Sequence, residues 1–365
     1  MAYTTIDDGS EYFTTTLWTG SGTSSGRSIT NSANAGNFKP DWLWIKPRTG
    51  TNATHHQLYD SSRGVSKSLR SSDSVAEVAS SAYGHVSAFD TNGFTSVAGS
   101  NNNENINENS STFVAWQWKA NGGTTSSNDA SATSVGTIDS VIQANTTAGF
   151  SIVTYTGTGS NGTIAHGLGA TPQMYWVKRR SAAEHWQVYS EEIGNNKYFQ
   201  ITTDGEITGS NRWNNTSPTS SVFSVGDHAS VNGSSDTYVA YCFTDIKGYS
   251  KFGSYTGNGN ADGAFVYTGF KPAWIMLKRT DSSNNWNIFD SKRDVDNQVG
   301  NVLYANLTSA EEADASHSSA NDFLSNGFKL KETGNAVNGS GATYIYMAFA
   351  EHPFVSSEGV PVTAR

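Results

Sequence analysis

The feature that most constrains this chain is that it repeats itself three times in register. Trp18-Thr19-Gly20-Ser21-Gly22 returns as Tyr155-Thr156-Gly157-Thr158-Gly159 and as Tyr255-Thr256-Gly257-Asn258-Gly259. A proline and an aromatic-rich run ending in lysine follow each time: residues 40–46 (PDWLWIK), 172–178 (PQMYWVK) and 272–278 (PAWIMLK). A third block reads His56-Gln57-Leu58-Tyr59-Asp60, Trp186-Gln187-Val188-Tyr189-Ser190 and Trp286-Asn287-Ile288-Phe289-Asp290. The closing blocks begin at Thr112, Thr237 and Thr343. Gly157 to Gly257 is 100 residues, and so is Pro172 to Pro272. That period is too long for a solenoid repeat of roughly 20–50 residues. It suits a small sandwich of about 100 residues, which should bury its own core.

Short runs rich in β-branched and aromatic residues, bounded by Gly, Asn, Ser and Pro, read as strands. The second copy is cleanest, with strands expected over 150–156, 173–180, 185–190, 197–203, 221–225 and 237–244. In Trp42-Leu43-Trp44-Ile45-Lys46 both alternating faces are apolar, so that strand should be covered on both sides. Residues 187–190 carry mixed faces and read as a half-solvated strand. One or two helical turns are expected at 309–315. The fold class is all-β: tandem antiparallel β-sandwich (jelly-roll or lectin-like) domains of about 100 residues. The expected divisions are an N-terminal arm (1–10), repeat one (11–120), a Gly/Ser/Thr/Asn-rich linker (121–148), repeat two (149–248), repeat three (249–354) and a C-terminal tail (355–365).

Composition removes several classes of function. A net charge of -9 gives no basic footprint for nucleic acid. No apolar run approaches the roughly 20 residues of a membrane-spanning helix, so membrane insertion is not expected. Residues 1–13 show no signal-peptide pattern. The single cysteine, Cys242, lies in a strand-like run and reads as a small buried hydrophobe. It cannot form an internal disulfide, which fits folding in a reducing cytoplasm.

Candidate chemistry is sparse. His55 and His56 are adjacent, so on a strand they face opposite ways and cannot chelate one ion. The acidic pairs Glu191-Glu192 and Glu311-Glu312 read as solvated turns, not as the separated carboxylates of a glycosidase. The loop from Asn258 to Gly263 is rich in oxygen ligands but lacks the closing Glu of a calcium loop. Lys46, Lys178 and Lys278 end the same strand in each copy and read as structural. Trp42, Met174 and Trp274 fill one core slot. No catalytic residue, metal site or cofactor is expected, and the chain does not read as an enzyme. Polar amide loops differ between copies, at 49–54, 101–109, 211–217 and 282–285. Beside them Trp186, Trp213 and Trp286 are candidate glycan-stacking residues.

Residues 150–157, 238–243, 248–259 and the ending 344–354 (YIYMAFAEHPF) resemble a repeat domain of structural proteins in marine tailed bacteriophages. The resemblance runs from about Glu11 to Phe354. It implies a non-enzymatic virion protein, made in the host cytoplasm, that serves as a tail fibre or tail-associated component. Head decoration or a capsid fibre is the alternative, and a polysaccharide depolymerase a further one. The implied partners are other virion proteins, the chain itself as a homotrimer, and a host-surface glycan. Arm and tail, marked by Met1, Val355 and Arg365, are candidate assembly segments that order on docking.

Overall fold

The structure is a computed structural model that describes residues 3–32, 37–49, 54–79, 82–101, 106–313 and 320–361. Nearly every element is a β-strand, and among the described residues the strands pair antiparallel, with one isolated parallel bridge between Ile138 and Ile164. Three large sheets share one strand order. An opening strand (Phe13–Thr19, Phe150–Thr156 or Ser250–Thr256) lies beside a closing strand (Thr112–Trp118, Thr237–Phe243 or Thr343–Pro353). Next comes a central strand (Trp42–Pro47, Met174–Arg179 or Phe270–Arg279), then the third-block strand (Gln57–Asp60, Gln187–Ser190 or Trp286–Asp290). A small sheet of two or three strands packs on each large one.

The two-sided apolar pattern of the central strands now has its cause. One face meets the small sheet. In the first sheet pair Leu43, Ile45, Phe113 and Ala115 pack with Ile29, Val86 and Phe94. In the second, Val153, Tyr175 and Val177 pack with Ile164, Phe223 and Val225, and Cys242 is buried among them. The opposite faces of all three large sheets turn toward one another. Trp42, Trp44, Trp116 and Trp118 of the first join Phe150, Trp176, Tyr241 and Phe243 of the second and Trp274, Trp286 and Phe349 of the third in one buried cluster. Rings touch across every boundary: Trp42–Tyr241 at 4.6 Å, Phe243–Phe349 at 6.3 Å and Trp118–Trp274 at 5.7 Å. The expectation that each unit buries a separate core is therefore corrected. The first and second large sheets each have a private face and a shared face. In the third, Ile275, Leu277 and Phe289 pack with Val266, Phe323 and Phe328 in a layer continuous with the shared core, and the shared faces close a ring.

Other expectations also change. Residues 121–148 are not a free tether. Ser126–Asn128 and Ser140–Asn145 form strands, with a short helix at Ala130–Thr133 between them, and they extend the second large sheet at its opening edge. Asp129 caps that helix by accepting from Ser131 N and Ala132 N. The strand Gln187–Ser190 is buried throughout, because Val188 enters the shared core and Tyr189 the private one. No helix forms over 309–313, and Asp314 and Ala315 lie outside the described residues. The described part of the arm is docked within the chain. The Tyr3 hydroxyl donates to Gly269 O at 2.9 Å, Thr4 Oγ1 to Lys247 O at 2.8 Å, and Ile6 is buried in the shared cluster. Asp7 accepts from Ser357 N at 2.6 Å, and Val355 bridges to Pro361, so arm and tail meet. Met1 and Arg365 lie outside the described residues.

Candidate functional site

The polar chemistry of this chain concentrates at the three joints of the ring. The turns that begin each repeat place the opening strands. At the first Gly of each Thr-Gly-x-Gly turn a side chain has no room: a Cβ on Gly157 would lie 2.3 Å from Gly233 O, and one on Gly257 would lie 2.4 Å from Gly339 O. A buried asparagine fixes each turn. Asn107, Asn232 and Asn338 accept through Oδ1 from Ser21 N, Thr158 N and Asn258 N at 3.0, 2.8 and 2.9 Å.

The lysines that close the central strands reach across the joints. Lys46 Nζ donates to Thr54 O at 2.6 Å and to Thr308 O at 3.0 Å. Lys178 Nζ donates to Glu184 O, and to Ser74 O and Val75 O at 3.0 and 2.8 Å. Lys278 Nζ donates to Asn284 O, and to Thr203 O at 2.9 Å. Each lysine thus ties its own loop to the preceding sheet pair through carbonyl oxygens. Burial pushes their ionisation down, to about 7 for Lys46 and about 8 for Lys178 and Lys278. The neighbouring slot works the same way. His56 Nε2 lies 2.9 Å from Tyr304 O, Trp186 Nε1 donates to Arg70 O at 2.8 Å, and Trp286 Nε1 to Gln200 O at 3.2 Å.

Two joints carry a buried ionic clasp. Between the first and second sheet pairs, Arg63 bonds Asp60 through Nε and Glu77 through Nη1 at 2.9 Å. Glu77 also binds Arg180 across the joint at 2.9 and 3.0 Å, and the Tyr241 hydroxyl donates to Asp60 at 2.7 Å. Between the third and first pairs the pattern returns. Arg293 bonds Asp290 at 2.6 Å and Glu311 at 3.0 Å, Arg48 grips Glu311 with two bonds of 2.8 Å, and Trp116 Nε1 donates to Asp290 at 2.9 Å. Burial opposes ionisation of both glutamates. The arginines outweigh it, Arg180 with Arg63 at Glu77 and Arg48 with Arg293 at Glu311, and hold each carboxyl below its ordinary value. Glu311 is thus a joint residue, not the solvated turn expected of it. Glu191 and Glu192 are exposed, in a short 3-10 turn.

The joint between the second and third pairs keeps only the backbone part of this pattern. Glu206 N donates to Thr280 O at 2.7 Å, as Glu77 N does to Arg180 O and Glu311 N to Arg48 O, both at 2.9 Å. Ser190, Ile193 and Met347 stand where the clasped joints carry Asp, Arg and an aromatic donor. A polar cleft of about 500 Å³ lies here, lined by Glu192, Lys197, Glu206, Ser254, Thr256 and Thr280 among others.

The sequence-derived glycan candidates are not at any surface. Trp186, Trp213 and Trp286 are at most 1% exposed, so none can stack on a sugar. They look surface-bound in the sequence because polar loops flank them, but the rings are packed and their N–H groups satisfied by carbonyls. The clasps do have a signal in the sequence: Asp60-Ser61-Ser62-Arg63 and Asp290-Ser291-Lys292-Arg293 share an Asp-Ser-x-Arg spacing that residues 190–193 lack. Among the described residues no three His, Cys, Asp or Glu side chains converge to hold a metal. In the loop 258–263, Asp262 pairs with Lys329.

One family model, described as a domain of unknown function, DUF7483, matches residues 8–353. The chain belongs to the DUF7483 family. The DUF7483 match runs through all three large sheets, from the end of the arm to the end of the last closing strand, as does the shared core. No curated protein matches the chain.

Proposed function

We propose that this chain is a structural, non-catalytic component of a tailed-bacteriophage virion, a tail fibre or tail-associated protein, built from three tandem copies of one sandwich module. The observation that carries the reading is where most of the buried charge goes. Asp60, Arg63, Asp290 and Arg293 and the three strand-end lysines are all spent on joining sheet pairs. Such a body suits a particle exposed outside the cell without disulfides. A depolymerase would need two carboxylates facing one another across a cleft, about 5–10 Å apart. In the cleft at the unclasped joint, Glu206 is held by Lys197 and Asp281 by Arg279, which leaves Glu192 as the one lining carboxylate without a cation among the described residues.

The partner expectations shift with the structure. A threefold arrangement exists within one chain, so we read the ring as replacing a homotrimer of separate chains. Contact with neighbouring virion proteins is favoured over glycan binding, since the candidate tryptophans are buried. The test is immunogold labelling of purified virions with an antibody against this chain. Label on the tail supports the reading. Label on the head moves the protein to head decoration, and its absence from particles overturns the virion assignment. Shortened chains after incubation with host polysaccharide would overturn the non-catalytic part.

A further inference from the structure

The three opening strands are alike in register but not in what covers their outer edge. In the second sheet, Thr244 N donates to Gly149 O and Gly157 N to Asp236 O, so odd-numbered residues bond the closing strand. The even-numbered ones point outward, and the strand Ser140–Asn145 covers them, pairing Phe150 with Asn145, Ile152 with Gln143 and Thr154 with Val141. In the first sheet the outward Thr15 and Thr19 carbonyls accept from Ser32 Oγ and the Arg27 guanidinium. In the third sheet Ala350 N donates to Tyr249 O and Gly257 N to Ala342 O, so Phe252, Ser254 and Thr256 face outward. Asp245 takes Phe252 N. The backbone N–H and C=O groups of Ser254 and Thr256 have no partner among the described residues, and both residues are exposed. They border the cleft of about 500 Å³ at the unclasped joint.

We infer that the Ser254–Thr256 edge is a strand-addition site for an extended segment of a partner protein. An unpaired edge beside open space is a template for one more strand. The molecule itself shows the geometry works, since Ser140–Asn145 fills the corresponding edge of the second sheet. The wall opposite selects the partner's chemistry. Glu192 touches the edge through the Ser254 hydroxyl and has no cationic partner among the described residues, whereas Glu206 is paired with Lys197. The incoming strand therefore carries a lysine or arginine facing Glu192, with small or β-branched neighbours. The inference is independent of the virion reading.

The test uses the full chain labelled with ¹⁵N and a capped peptide, Ser-Val-Lys-Val-Ser, titrated to millimolar concentration. The amides of Ser254 and Thr256 should shift, and their hydrogen exchange should slow about tenfold at saturation. The Thr154 amide, already covered, should not respond. Ser254→Pro removes one donor at an exposed edge, where proline is tolerated, and should abolish the response. Glu192→Lys, on an exposed turn, should weaken the lysine peptide while leaving the spectrum folded. Unchanged exchange at Ser254 and Thr256 overturns the inference. So does concentration-dependent dimerisation that protects the same two amides without peptide, which would make a second copy the occupant.

Discussion

The joints that flank the first sheet pair and the joint opposite it solve one packing problem in two ways. The former bury Asp–Arg–Glu clasps, with Arg63 and Arg293 fully enclosed; the latter places Ile193 and Met347 at the matching positions and leaves a cleft. Removing one member of a buried ion pair leaves an uncompensated charge, while replacing the whole pair with apolar groups is often nearly neutral. The unclasped joint shows that shared-core packing, backbone bonds and the Lys278 and Trp286 bonds to backbone carbonyls hold two sheet pairs together without a buried ion pair. The clasps add specific contacts to this: Arg180 of the second sheet pair reaches Glu77 of the first, and Arg48 of the first reaches Glu311 of the third.

The comparison breaks most sharply under single substitutions. Arg293→Ala strands Asp290 and should cost about 3–5 kcal/mol in urea unfolding. Ile193→Ala, at the matching position, should cost only about 1–2 kcal/mol, because that side chain is half-buried and uncharged. Asp290→Ser combined with Arg293→Ile imports the residues of the unclasped joint. It should cost less than Arg293→Ile alone, and equal costs would mean the pair is not coupled.

The lysines give a smaller effect with a defined sign. Their folded values, about 7 and about 8, lie below the roughly 10.4 of an unfolded lysine. As pH falls from about 10, the unfolded chain takes up protons first, so stability drops and levels off near pH 7. The urea midpoint should therefore be higher at pH 9.5 than at pH 7. Lys46→Met should flatten part of that slope, and an unaltered slope would mean Lys46 stays charged in the fold. The smallest change sharpens the comparison from the other side. Thr280→Arg gives Glu206 the partner that Arg180 and Arg48 give Glu77 and Glu311. It should raise stability by about 0.5–1 kcal/mol, seen as a higher melting temperature.

Much of the framework was legible because strands advertise themselves by period and punctuation. Five of the second repeat's six expected strands begin within one residue of a strand in the structure, and the other, expected from 185, begins at Gln187. The alternation in Trp42-Leu43-Trp44-Ile45 revealed that both faces are covered, but not by what. Periodicity identifies a buried face; it cannot distinguish a sheet's own partner from another repeat. Residues 121–148 read as a linker because Ser, Thr and Gly dominate, yet adding a strand to an edge needs only backbone bonds. The candidate site failed for a similar reason. Trp186 and Trp286 sit at strand starts beside polar loops, and the carbonyls that satisfy their N–H groups, on Arg70 and Gln200, come from distant parts of the chain.

Cys242 provides the most direct test of the shared core. It is the chain's only cysteine, is buried on the private face of the second sheet, and has its ionisation pushed up by burial. Trp42 belongs to the first sheet, faces the shared core and makes no hydrogen bond through Nε1, so Trp42→Ala opens a cavity and removes no polar contact. Thiol labelling of Cys242 across a urea series, in the parent and in Trp42→Ala, reports whether damage in one sheet pair is felt in another. If one core holds the ring, the labelling midpoint falls together with the global unfolding midpoint, by an amount equivalent to about 3–5 kcal/mol. A Cys242 midpoint that stays at the parent value while the first sheet pair unfolds early would show three independent domains, and would contradict the shared core.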